Sequence, residues 1–176
     1  MHVFLTGDIQ VGKSTLTKKV LSALDDVRLG GFRTVTVTDR ADAFGSLYLV
    51  PAAAEHPVCG DENRVGIRRG HGRGTEGFPE VFDRAGTAAL SDAEDCDLIL
   101  MDEIGKLESE SPAFLGRIAA LLDGGVPILG VLRKEGETPQ QKLVRDHPQV
   151  RLIEVTEQNR DALAGEIAAL LKAQMK

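Results

Sequence analysis

His2-Val3-Phe4-Leu5-Thr6-Gly7-Asp8-Ile9-Gln10-Val11-Gly12-Lys13-Ser14-Thr15 opens the chain and decides how the rest is read. His2–Thr6 is a short, β-branched apolar run ended by a glycine, the signature of a buried strand. Leu16, Val20, Ala23 and Leu24 then recur at helical spacing, which predicts a helix over Ser14–Leu24. Between strand and helix, Gly7–Ser14 matches G-x-x-x-x-G-K-[ST] in full. Gly7 and Gly12 permit the tight turns that aim successive N–H groups into one concavity, and the following helix start adds its positive dipole end. The expectation is a loop holding a triphosphate through the backbone of Gly7, Asp8, Ile9, Gln10, Val11 and Gly12. Lys13 is expected on the β- and γ-phosphates, Ser14 on Mg²⁺ and Thr15 near the α-phosphate.

Outward from that loop, apolar runs alternate with amphipathic stretches. Strands are expected at Phe32–Thr38, Phe44–Val50, Asp97–Asp102, Val126–Leu132 and Val150–Val155. Helices are expected at Pro79–Leu90, Ser111–Leu122, Pro139–Asp146 and Arg160–Met175. Continuous apolar strands separated by helices imply an α/β fold, with a mostly parallel sheet flanked by helices. Residues 51–77 hold no lasting period and read as a loop-rich insertion, with short hairpin strands at most. At 176 residues the chain suits one domain, 1–176.

Composition excludes several classes. A formal charge of −6 and the absence of Trp argue against broad nucleic-acid binding, which needs a basic face and stacking aromatics. No apolar run approaches membrane-spanning length, and the first residues lack the flanks of a signal peptide. Cys59 and Cys96 lie far apart without metal-ligand spacing. His2, His56 and His147 show no ligand pattern either. A monomer in a reducing cytoplasm is expected.

Asp97-Leu98-Ile99-Leu100-Met101-Asp102-Glu103 places two carboxylates at the end of a buried strand. In parallel sheets ligands gather at such ends, where the phosphate loop also lies. Asp102 is therefore expected to hold Mg²⁺ with Ser14, and Glu103 to orient and polarise the attacking water. Asp102-Glu103-Ile104-Gly105 also fits D-x-x-G, but no Asn-Lys-x-Asp or Thr-Lys-x-Asp follows it, so guanine specificity of the usual GTPase kind is not supported. Arg133 follows the next strand and is expected to stabilise γ-phosphate charge; Lys134 beside it is the lesser candidate. Arg64, Arg68, Arg69, His71 and Arg73 form a basic, glycine-rich stretch. It reads as an exposed loop, with a lid over the triphosphate or a partner contact as the alternative. Thr156–Arg160 could contact base or ribose, or cap the final helix.

Four segments in order, Gly7–Thr15, Gly30-Gly31-Phe32-Arg33-Thr34, Asp102-Glu103-Ile104-Gly105-Lys106-Leu107-Glu108 and Val155-Thr156-Glu157-Gln158-Asn159-Arg160-Asp161, resemble the small nucleoside-triphosphatase family. Its members include bacterial and archaeal enzymes and a human cancer-related one. The resemblance runs nearly end to end. It implies a three-layer P-loop NTPase fold similar to the RecA-like ATPases. It also implies Mg²⁺-dependent hydrolysis of nucleoside triphosphates such as ATP and GTP to diphosphate and phosphate, with slow turnover and broad base tolerance. Lys13, Ser14, Asp102 and Glu103 carry over directly, Ile104 and Gly105 join the nucleotide site, and Lys106 matches a family lysine. Ala43–Tyr48 and Gly74–Glu80 depart from the family pattern, so substrate preference is open there. Two alternatives stand beside hydrolysis. One is a P-loop kinase acting on a small nucleoside-like acceptor, with Asp39-Arg40 as a faint acceptor-binding pair; the other is a nucleotide-dependent switch.

Overall fold

A computed structural model describes residues 1–38, 45–69 and 74–175. In chain order its elements begin β1 (His2–Thr6), α1 (Lys13–Ser22), β2 (Leu29–Thr38), β3 (Gly45–Pro51), β4 (Arg64–Arg68) and β5 (Thr75–Gly77). A helical stretch follows as α2 (Pro79–Val81), a π turn (Phe82–Gly86) and α3 (Thr87–Ala89). The second half is β6 (Leu98–Ile104), α4 (Pro112–Leu122), β7 (Ile128–Leu132), α5 (Pro139–Asp146), β8 (Val150–Glu154) and α6 (Arg160–Lys172).

All eight strands share one sheet in the order β5-β4-β3-β2-β6-β7-β1-β8. From β2 to β8 every pairing is parallel, while β3, β4 and β5 add an antiparallel extension at the β2 edge. Side chains of β1 and β6 alternate between two cores. Phe4, Ile99 and Met101 pack under α4 and the π turn, whereas Val3, Leu5, Leu98 and Leu100 pack under α1 and α6. Covering both faces is what makes these strands unbroken apolar runs. Close approach fixes some positions: a Cβ on Gly130, which pairs with Phe4, would fall 2.0 Å from that ring.

The expected fold class holds, and so do the main elements. β2 begins at Leu29, ahead of the expected Phe32, because Gly30 and Gly31 pair with Ile99 and Leu100. β6 runs past Asp102 to Ile104 through an irregularity in its pairing with β7. Phe44, the expected start of the third strand, and Asp39-Arg40 lie outside the described residues.

Topology places the chemistry. β7 lies between β6 and β1, so Arg133 emerges between the acidic end of β6 and the loop after β1. All three strands run the same way, and their carboxyl ends form one rim.

Candidate active site

The loop after β1 turns through Gly7 at φ 147° and Gly12 at φ 108°, backbone states that favour glycine. Gly12 occupies the N-cap of α1 without a capping side chain, so the first-turn N–H groups face the loop's concavity unclaimed by a side chain. Lys13 folds across the loop, its Nζ donating to the carbonyls of Gly7 at 2.7 Å and Asp8 at 2.8 Å. Two further cations hold the loop in place. Lys134 Nζ sits 2.9 Å from Asp8 Oδ1 and 2.8 Å from Glu154 Oε1, and these hydrogen bonds raise its pKa, Glu154 contributing most. Arg160 Nη1 donates to the Val11 carbonyl at 3.1 Å.

Asp102 is largely buried, and its carboxyl is pushed up to about 6. Desolvation is the main cause and the Glu103 charge the second; Lys13, Arg33 and Lys18 act in the opposite direction. A dication nearby would return such a group to its ionised form. Glu103 is more open, its side chain 40% exposed, and its Oε1 stands 3.9 Å from Arg133 Nη1. The Arg133 backbone N–H donates to the Ile104 carbonyl at 2.9 Å, tying the ends of β6 and β7 together.

These groups converge on a cleft of about 430 Å³ whose wall contains Gly7, Asp8, Ile9, Gln10, Gly12, Lys13, Ser14, Thr15, Glu103, Arg133, Lys134, Glu135 and Arg68. A second cleft of about 490 Å³ adjoins it and contains Asp102 and Gly105. Ser14, Glu103, Arg68 and Arg133 line both. Among the expected residues, Val11 and Ile104 instead turn apolar side chains into the protein interior.

Three further features complete the site. Arg68 sits at the end of β4 and faces the phosphate loop, so it belongs to the rim and not to an exposed loop. Its neighbours are engaged elsewhere: Arg64 pairs with Asp61 at 2.8 Å and Arg69 with Glu76 at 2.5 Å. His71 and Arg73 lie outside the described residues. The alternation of Val65 and Ile67 with arginines was the available strand signal. Glu108, only 3% exposed, accepts the Gly105 N–H at 2.5 Å on a carboxylate whose pKa burial raises. The Gly105 carbonyl in turn accepts from Gln140 Nε2 at 2.9 Å and Thr138 Oγ1 at 3.3 Å, so the turn after Glu103 is held from both sides. Finally, Asn159 occupies the N-cap position of α6, one of the two expected alternatives, but its Oδ1 accepts from the Thr156 N–H at 2.8 Å and not from the helix.

The family model described as NTPase matches residues 2–168. The chain belongs to this NTPase family. Among its relatives, nucleoside-triphosphatase THEP1 of Methanosarcina barkeri is 30% identical over 171 residues, covering 96% of this chain and 95% of that protein. Two solved structures share the fold. The crystal structure of THEP1 from the hyperthermophile Aquifex aeolicus superimposes with a TM-score of 0.76 at 25% identity, covering 97% of this chain and 99% of that one. The solution structure of a human cancer-related nucleoside triphosphatase gives 0.69 at 26% identity, covering 99% of both chains. The family match spans the phosphate loop, both acidic residues and Arg133. Among the described residues no helix is long and apolar enough to cross a membrane.

Proposed function

We propose that the chain is a Mg²⁺-dependent phosphohydrolase converting ATP, GTP and other nucleoside triphosphates to diphosphate and phosphate. The observation that carries this is the shared cleft: Lys13, Ser14, Glu103 and Arg133, from three different strand ends, line one space beside the phosphate loop. The relatives' names point the same way.

In this reading the loop N–H groups hold the β- and γ-phosphates, and Lys13 exchanges its carbonyl partners for phosphate oxygens. Ser14 and Asp102, both hard oxygen donors on one cleft wall, suit Mg²⁺, which when bound neutralises charge between the phosphates. Glu103, exposed and not claimed by a short hydrogen bond, orients the attacking water toward the γ-phosphorus. Arg133 gives up its loose 3.9 Å contact with Glu103 to meet the charge developing on the γ-phosphoryl oxygens. The base has no part in these contacts, which fits use of several nucleotides.

Steady-state phosphate release, paired with nucleotide binding by calorimetry, tests the assignment. Glu103→Gln should bind nucleotide normally and lose about 10²–10⁴-fold in kcat. Lys13→Ala should lose nucleotide binding itself. Full turnover by Glu103→Gln would refute the role given to Glu103.

A further inference from the structure

Beyond Glu103 the rim opens into the second cleft, about 490 Å³, on the α2–α4 side of the sheet. Hydrolysis needs room for one water, roughly 30 Å³. Part of this space, at the end lined by Ser14, Asp102 and Glu103, belongs to the hydrolytic site, and the whole is within the range of a pocket for an organic ligand, typically about 300–1,000 Å³. Its lining changes character where the core ends. Thr34 and Thr36 continue the face of β2 that carries buried Phe32, replacing apolar side chains with hydroxyls where the cleft begins. Phe82 and Leu107 supply apolar wall, and Lys106 adds an exposed cation that the phosphate cleft lacks.

The charges sort by position. Arg68 and Arg133 stand at the junction, lining both clefts, while Lys106 lies on the far side only. Three carboxylates also line this space, but they have other engagements. Glu108 accepts the Gly105 N–H, Asp102 suits Mg²⁺, and Glu103 faces Arg133. Among the described residues Arg68 and Lys106 make no ion pair and Arg133 is held only loosely by Glu103, so a second phosphate at the junction would meet two arginine forks suited to its oxygens.

We infer that this cleft binds a phosphate monoester of about mononucleotide size, which takes the γ-phosphoryl group in place of water. This rests on the phosphate loop holding a nucleoside triphosphate as proposed above. The monoester's phosphate lies at the junction against Arg68 and Arg133, and its organic part extends toward Lys106, Phe82, Leu107 and the threonine hydroxyls. An oxygen of that phosphate dianion forms a bond to the γ-phosphorus. The bond from this phosphorus to the β–γ bridging oxygen breaks, and its electron pair leaves on the nucleoside diphosphate. No proton needs to move; the products are a nucleoside diphosphate and the monoester carrying a second phosphate.

The test uses the full chain with Mg²⁺ and excess β,γ-imido-ATP, so that the phosphate loop is filled. AMP, CMP, GMP, UMP and ribose 5-phosphate are then titrated by calorimetry, the last separating recognition of a base from recognition of a sugar phosphate. At least one should bind at a single site, about tenfold or more weaker in Thr34→Phe, which fills the cleft, and in Lys106→Glu, which reverses its far charge. With ATP as donor, ³¹P NMR should show that compound converted to its diphosphate, while Thr34→Phe keeps ATP hydrolysis within about twofold of wild type. Should Thr34→Phe fail to fold, Lys106→Glu decides. Release of inorganic phosphate alone with every monoester, or binding indifferent to both substitutions, overturns the acceptor site and leaves hydrolysis standing. Consumption of ATP only when a monoester is present would instead refute the hydrolase reading and support the acceptor.

Discussion

Glu108 offers the sharpest test of how the site is held, because its two simplest replacements should behave differently. The carboxylate is 3% exposed and accepts the Gly105 N–H at 2.5 Å, two residues beyond Glu103. Glu108→Ala orphans that buried donor, which costs about 1–3 kcal/mol. The lost side-chain packing adds roughly 1 kcal/mol, for an expected total of about 2–4 kcal/mol. Glu108→Gln keeps an acceptor oxygen in place and removes a charge that burial disfavours, so it should stay within about 1 kcal/mol of wild type. The sign with pH follows from the raised folded pKa. Wild-type stability from this group is complete below the ordinary value of 4.5 and falls as pH rises through the folded value, so Glu108→Gln gains relative to wild type toward neutral pH. Urea unfolding at pH 7 reads this directly: with slopes near 2 kcal/mol/M, Glu108→Ala should lose roughly 1–2 M in midpoint and Glu108→Gln about 0.5 M or less. Function should follow geometry. Loosening the turn after Glu103 should lower kcat about tenfold in Glu108→Ala and leave KM for nucleotide near wild type, because the phosphate loop is untouched. Equal damage by Ala and Gln, in midpoint and in kcat, would show that the negative charge matters and not the accepted hydrogen bond, and would refute the reasoning.

Two further outcomes test the fold beneath the site. In Gly130→Ala the new methyl would meet the fully buried Phe4 ring at 2.0 Å, so overpacking should cost about 1–3 kcal/mol or more; an unchanged melting temperature would contradict that packing. His2 is fully buried, its Nε2 donating to the Leu122 carbonyl at 2.9 Å with Nδ1 unpartnered, and burial lowers its pKa. Its neutral form therefore supports the fold above 6.5, and that support is lost as pH falls below this value. Chemical denaturation at pH 5 and pH 8 should show a loss in wild type that is smaller in His2→Gln; equal losses would exclude His2 as the source.

What the sequence revealed depended on how each element is buried. β1, β6 and β7 sit between two helical layers, so their residues must be apolar on both faces and the runs stand out. The phosphate loop was legible for a different reason: its glycines and Lys13 answer local backbone demands that no distant contact alters. β4 and β5 had neither advantage. Arg64–Arg68 buries mainly Val65 and Gly66, and Thr75–Gly77 is a three-residue edge, so pairing with β3 creates strands that local pattern barely marks. Glu108 was hidden in the opposite way. A charged residue in a polar stretch reads as solvated, and only the turn back onto the Gly105 N–H buries it.

The misplacement of Arg68 has a physical consequence for catalysis. The basic stretch read as an exposed loop, with a lid as the alternative, and either would swing freely over the triphosphate. Yet β4 is anchored through Val65, fully buried in the same core as Phe4, Phe82 and Phe114, and β3 contributes Leu47 and Leu49 to that core. Lifting β4 away would expose Val65 alone at about 1.5–3 kcal/mol and break its ladder with β3 as well. The base of Arg68 is therefore fixed to the sheet, and only its side chain has freedom to choose between the two clefts. β4 stands as part of the sheet opposite the phosphate loop, with Arg68 lining the cleft between them. Under the proposed roles, the outcome at the γ-phosphorus depends on what fills that gap: a water oriented by Glu103, or the second phosphate inferred above at Arg68.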